Sequence, residues 1–181
     1  YYIVHSTLAA AALFLISDLV RSTRANLELT AQPPVASAPM TAGLFFVAAI
    51  AMTGLPPMSG FIGKLLVLDA AFEAPNAAWV WGIVLVSSLI SIVGFARAGS
   101  VVFWQAQSIQ HPLDAQATQK PSALSYAAVG SLVAVLVVYT VFAGQAHRYM
   151  LDISTQLFAP EPYISTVLNT PGKLSTPKEG Y

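Results

Sequence analysis

Residues 77–104 read AAWVWGIVLVSSLISIVGFARAGSVVFW, and Arg97 is the one charge among them. A helix needs about 17–25 apolar residues to cross a hydrocarbon core ~30 Å thick. Trp79 and Trp81 flank one end of the stretch and Trp104 the other, as indole rings do at the two faces of a bilayer. Trp81 and Trp104 lie 23 residues apart, ~35 Å along a helix, a spacing that suits a full crossing. Stretches of the same kind recur on both sides. YYIVHSTLAAAALFLISDLV fills residues 1–20 and gives way to charge at Asp18, Arg21 and Arg24. TAGLFFVAAIAMTGL runs from Thr41 to Leu55, and MSGFIGKLLVLDAAFEA resumes at about Met58 and fades near Pro75. SALSYAAVGSLVAVLVVYTVFAGQA, residues 122–146, crosses once more.

The whole composition agrees with that reading. Of 181 residues, 56% are hydrophobic and 9% charged, against about 25% charged in an ordinary soluble domain. The expected fold is an all-α integral membrane protein with about five transmembrane helices and a proline-broken region at 54–60. Eight basic and eight acidic residues give a net charge of zero, with no clustered basic face of the kind nucleic-acid binding needs. Cysteine is absent, which excludes disulfides and thiolate metal sites. No metal cluster, phosphate loop or nucleophile triad is present, so neither a cofactor nor enzymatic covalent chemistry is expected. The chain starts at Tyr1 inside an apolar segment with no basic region before it. It is therefore expected to be the C-terminal part of a longer polypeptide rather than to carry a signal peptide.

Polar loops are expected at 25–40, which is punctuated by proline, and at 105–121. In HRYMLDISTQLFA, residues Tyr149, Met150, Ile153, Leu157 and Phe158 recur at helical spacing, the pattern of an amphipathic helix lying in the membrane interface. Four prolines between 160 and 177 predict an extended tail. The domain division is thus a membrane domain over 1–145, then an interfacial helix and tail over 146–181. Lysine and arginine in the loops do not orient the crossings, because the bias nearly vanishes if the second and third segments form one bent crossing.

The chemistry concentrates in GLPPMSGFIGK, residues 54–64. Pro56 and Pro57 remove two backbone donors and end a helix, and Gly54 and Gly60 flank them. Lys64 follows Pro57 by seven residues and is itself followed by Leu65, Leu66, Val67 and Leu68. A lysine at the centre of a membrane helix costs about 2.5–3.5 kcal/mol on insertion scales, so it normally faces a polar cavity or a partner. Freed carbonyls near residues 52–56 supply acceptors, and irregular backbone at depth is tolerated where it lines protein or water. The competing reading is a lysine that snorkels to a headgroup region.

His5, with Ser6 and Thr7 beside it, is either a proton relay or a structural histidine bonded to a nearby carbonyl. Alanines 9–12 predict close helix packing. Asp69 and Glu73, four apart, would share a helix face. Asp69 is about 140° around the helix from Lys64 and does not pair with it there. The two acids mark either the approach to water or a proton exit. Arg97 snorkels or meets an acid on another helix. Ser87, Ser88 and Ser91 line a polar stripe or bond back to their own helix.

VHSTLAAAALFL, GLPPMSGFIGKLLVLDAAF and ARAGSVVFW together resemble the D subunit of Mrp- or Pha-type multisubunit monovalent cation/proton antiporters. That protein is similar to the antiporter-like subunits of respiratory complex I. The resemblance covers roughly residues 1–165 and implies the last five of fourteen transmembrane helices. It implies a secondary transporter subunit, not an enzyme, in a bacterial inner membrane. Its partners would be the other membrane subunits, the lipid bilayer, H+ and Na+ or K+, with no cofactor and no nucleic acid. The lysine of GFIGK, here Lys64, matches the terminal member of a mid-membrane line of ionisable residues. The histidine of H-x-x-L matches His5. Ser6, Thr7, Asp69 and Glu73 are possible path or exit groups. Many relatives carry a lysine five residues after the histidine, where this chain has Ala10. The path through the first segment would then depend on His5, hydroxyls, water or a neighbouring helix. The alternatives are an antiporter-like subunit of complex I or of a membrane-bound hydrogenase, and a structural membrane subunit that conducts nothing.

Overall fold

The computed structural model of the chain describes residues 1–24, 28–35, 37–109 and 121–169. All regular structure among them is helical. The chain divides into two compact units, Tyr1–Ala143 and Gly144–Tyr181.

The first unit holds α1 (Tyr2–Arg24), α2 (Ala38–Thr53), α3 (Ser59–Ala70), α4 (Ala77–Gly99) and α5 (Ala123–Val141). Three stretches are long and apolar enough to cross a membrane: Tyr2–Arg24, Ala77–Ser108 and Ala123–Val141. Ala38–Thr53 is equally apolar but shorter, ~24 Å at helical rise. The twelve residues of α3 reach only ~18 Å.

Helix α1 sits at the centre and packs on α2, α3 and α5. Its buried residues are His5, Ala9, Ala12, Ile16, Leu19 and Thr23, a seam of alternating four- and three-residue steps like that of a packed coiled-coil helix. Ala9 and Ala12 are fully buried; lacking bulk, they let neighbouring backbones come close. At one level Ala12, Ile16 and Leu19 meet Ala48 of α2 and Val129 and Val133 of α5. At the next, Ala9 meets Ala51, Met58 and Leu136. A hydrogen bond of 3.1 Å between Thr41 and the Tyr126 hydroxyl adds a polar tie between α2 and α5.

Helix α2 closes on Gly54, whose φ of 74° is a left-handed conformation open to glycine at little cost. The Gly54 N–H bonds the Ala51 carbonyl at 3.2 Å and the Leu55 N–H bonds the Ile50 carbonyl at 3.1 Å, the Schellman closure. The chain then passes Pro56 and Pro57 and re-enters a helix at Ser59. Helix α4 runs on into a π-helical turn, Ser100–Trp104, and a 3-10 turn, Gln105–Ser108. The Arg24 side chain at the end of α1 donates to the Val102 carbonyl in that π turn at 2.7 Å.

Two sequence expectations are corrected. Helix α3 ends at Ala70 and residues 71–73 form turns, so Asp69 and Glu73 do not share a helix face. Pro75, two residues beyond Glu73, disfavours helical backbone just before it. The tail expected to be extended contains a helix, α7 (Glu161–Asn169). Pro162 falls in its first turn, where a missing N–H removes no helix bond. The second unit also holds most of α6 (Ala143–Phe158), which starts four residues ahead of the expected amphipathic segment. The rest of the tail, 170–181, and most of the 105–121 loop lie outside the described residues.

Candidate functional site

The end of α2 is the focus of the site. The last carbonyls of any helix have no partner within it, and the helix dipole makes that end partly negative. The Lys64 side chain returns from α3 to that end: its Nζ donates to the Thr53 carbonyl at 2.6 Å. It also donates to Ser88 Oγ of α4 at 2.7 Å. The Ser88 hydroxyl spends its own proton on the Val84 carbonyl at 2.6 Å, which leaves its oxygen free to accept. Gly54 makes room for this arrangement. A Cβ on it would stand 2.7 Å from Lys64 Cδ and 3.0 Å from Nζ.

Lys64 borders a cavity of about 300 Å³ that Tyr2, Met52, Ser87, Ser91 and Phe95 also line. Among the described residues no carboxylate bonds the ammonium. The only ion pair there joins Asp18 and Arg21, exposed on α1, at 2.7 Å.

His5 forms the second part. It is 1% exposed, and its Nδ1 lies 2.8 Å from Ser59 Oγ. A Cβ on Gly60 would run into the Ala51 carbonyl and come within 2.8 Å of His5 Nε2. A bare Cα at position 60 therefore permits α1, α2 and α3 to converge on the ring. On the far side of Ser59, its backbone N–H donates to Thr140 Oγ1 of α5 at 2.9 Å. The Thr140 hydroxyl in turn donates to the Leu136 carbonyl at 2.8 Å. The Tyr139 hydroxyl donates to the Tyr1 carbonyl at 3.1 Å, and their rings stack at 4.7 Å.

Residues 1–91 match the family described as "NADH:quinone oxidoreductase/Mrp antiporter, TM". The chain belongs to this family. Over 93% of its length it is 30% identical to the D subunit of the Na(+)/H(+) antiporter of Alkalihalophilus pseudofirmus, covering 33% of that relative. It is 27% identical over 94% of its length to the D subunit of a probable K(+)/H(+) antiporter of Rhizobium meliloti, covering 36% of it. The N subunit of the NADH-quinone oxidoreductase of Granulibacter bethesdensis is 35% identical over 52% of this chain, which covers 19% of that relative. The chain spans about a third of the length of the antiporter relatives it matches. It is thus a helical membrane protein of the antiporter family, similar to subunits of multisubunit antiporters.

Within this family member, Lys64 and His5 lie on either side of the break, Gly54 against Lys64 and Gly60 against His5, while Pro56 and Pro57 are exposed in the turn between them. The remaining named residues are not gathered there. Ser6 and Thr7 bond back to the Ile3 carbonyl at 3.0 and 2.9 Å. Asp69 and Glu73 are exposed at the far end of α3. Arg97 is exposed and forms no ion pair among the described residues. Of the serine stripe, Ser88 binds Lys64 and Ser87 and Ser91 line its cavity. Sequence reasoning missed Ser59 and Thr140, while the Thr53 carbonyl falls among the freed acceptors expected at 52–56. That expectation was readable because the carbonyls at a helix end attract cations.

Proposed function

We propose that the chain forms part of a proton-translocating membrane subunit of a multisubunit monovalent cation/proton antiporter. Lys64 is the terminal station of its mid-membrane path and His5 an inner member. The observation that carries this reading is the Lys64 ammonium, held by a carbonyl and a hydroxyl without a carboxylate, beside a cavity large enough for water. An ammonium so held keeps neutral partners in either protonation state, so it can release and recover a proton without leaving a buried anion unpaired. The break at 54–60 supports the role by presenting the end of α2 to the lysine. Discontinuous helices serve ions in this way in other secondary transporters.

On this reading α2 and α3 count as two short crossings, which with α1, α4 and α5 make five. Residues 1–145 belong to the conducting membrane domain and 146–181 to an interfacial segment. The protein works as a transporter subunit in a bacterial inner membrane, alongside other membrane subunits, on H+ and Na+ or K+. Asp69, Glu73, Ser6 and Thr7 stand outside the main path. The identity with an oxidoreductase N subunit favours a second reading, in which redox chemistry elsewhere in a larger complex drives the same kind of path.

Cation/proton exchange in inverted vesicles tests the proposal, comparing Lys64→Ala with wild type in the complete polypeptide at matched assembly. Loss of exchange in an intact complex is expected. Unchanged exchange would return Lys64 to a structural role and make this part of the protein a scaffold.

A further inference from the structure

Two cavities flank the bond between Lys64 and the end of α2, and they differ in character. The Lys64 cavity, about 300 Å³, has Ser87 and Ser91 of α4 in its wall. The other is a groove of about 130 Å³ between α2 and α4, lined by Ala49, Ile50 and Ile92 among other apolar residues. Thr53 is the one polar side chain in the groove's lining among the described residues, and its hydroxyl donates back to the Ala49 carbonyl at 2.8 Å. The groove therefore offers water no donor. Water persists where polar groups bind it, whereas an apolar space of about 150 Å³ stays dry. Phe95 is the one side chain that belongs to both walls.

Phe95 follows Ser88 and Ser91 at three- and four-residue steps, so it continues their face of α4 by one more turn. Its ring is braced from α2: Phe45 lies 6.2 Å away, centroid to centroid, and packs in turn on Phe46 and Phe103 at 5.5 Å each. Gly99, the next turn along α4, lets these rings approach. A Cβ on it would stand 2.9 Å from Phe46 Cζ and 3.1 Å from Phe45 Cε1. Phe46 lines the groove, and Phe45 lines a third cavity of about 150 Å³ bordered by Arg24 and Glu28 at the charged end of α1. The seam between α2 and α4 thus runs from the Lys64 cavity toward the end of α1, and Phe95 stands at its head.

We infer that Phe95 is a seal: its ring closes the Lys64 cavity toward the groove between α2 and α4, keeping water and protons at Lys64 from escaping along that seam. The consequence for transport rests on the proposed path role of Lys64, whereas the separation of a wet cavity from a dry groove does not.

Two truncations separate a seal from mere packing. Phe95→Ala opens the shared wall, whereas Ile92→Ala enlarges the groove and leaves that wall intact, because Ile92 lines the groove alone. Phe95→Leu keeps most of the bulk and guards against a Phe95→Ala protein that fails to assemble. In the complete, assembled protein, an imposed pH gradient is followed without Na+ or K+, with a permeant anion to balance charge. Phe95→Ala is expected to collapse it faster than wild type, Phe95→Leu to fall between them, and Ile92→Ala to match wild type. Equal leakage from Phe95→Ala and Ile92→Ala would overturn the inference. Water entry is read separately, whether or not the assembly exchanges ions. The chain has no cysteine, so Ala49→Cys places a single thiol in the groove, where a permanently charged thiosulfonate reports access by mass spectrometry of that peptide. An apolar surround raises a thiol pKa, and each unit is a factor of ten in thiolate, so labelling should be about tenfold faster or more with Phe95→Ala, but not with Ile92→Ala. Equal labelling with Phe95 and with Phe95→Ala would overturn the inference. Should Lys64→Ala exchange normally while the labelling contrast holds, the transport reading alone fails.

Discussion

Gly60→Ala tests the convergence of three helices on His5. The added Cβ would collide with the Ala51 carbonyl and stand 2.8 Å from His5 Nε2 and 3.1 Å from Cε1. Neither neighbour is the loose end of a side chain. One is backbone inside α2, and the other is a buried ring hydrogen-bonded to Ser59. Overpacking of this kind costs about 1–3 kcal/mol, and the rigidity of both neighbours places Gly60 in the upper half of that range. Alanine recovers up to ~1 kcal/mol of helix propensity. The net expectation is a loss of about 1–2 kcal/mol. Gly130 of α5 supplies the control, since a Cβ there meets nothing within 4 Å. Gly130→Ala should therefore be neutral or gain up to ~1 kcal/mol. Both variants are to be heated in mild detergent and the surviving assembly followed by size-exclusion chromatography. The two should move in opposite directions or differ clearly in midpoint, with exchange impaired only in Gly60→Ala. A Gly60→Ala protein as stable as Gly130→Ala, with wild-type exchange, would refute the close approach of α3 to Ala51 and His5.

Ser88→Ala removes one of the two acceptors of the Lys64 ammonium and leaves the Thr53 carbonyl. A hydrogen bond to a charged group contributes about 1.5–3 kcal/mol, so exchange in inverted vesicles should fall roughly tenfold or more while assembly stays normal. Arg24→Met removes the 2.7 Å bond to the Val102 carbonyl and should release the π turn; hydrogen–deuterium exchange of residues 100–108 should rise, with protection of α5 unchanged.

Much of this was legible along the chain. The apolar segments, their tryptophan ends and the alanine seam follow from composition and spacing, because a bilayer imposes length and polarity on each helix separately. Lys64 stood out for the same reason, as a charge that lipid tolerates only with a partner. The Thr53 carbonyl fell within the acceptors expected at 52–56, but the side-chain partners on other helices were not legible. Ser59 lies 54 residues from His5, Thr140 81 from Ser59, and Ser88 24 from Lys64, and no periodicity links positions on different helices. The acids misled because four-residue spacing means a shared face only while the helix lasts, and α3 ends at Ala70. Helix α7 was missed because prolines argue against helix except in the first turn, where Pro162 falls.

The sequence by itself determined that this is a helical membrane protein and that positions 54–64 hold its most expensive residue. Solvation decides both, and solvation acts residue by residue. Only the tertiary structure decided how that residue is satisfied: the end of α2 offers a carbonyl, α4 a hydroxyl, and α5 holds the serine that faces His5. Hydrogen bonds depend on distance in space, and the packing of α1 to α5 on one another sets those distances.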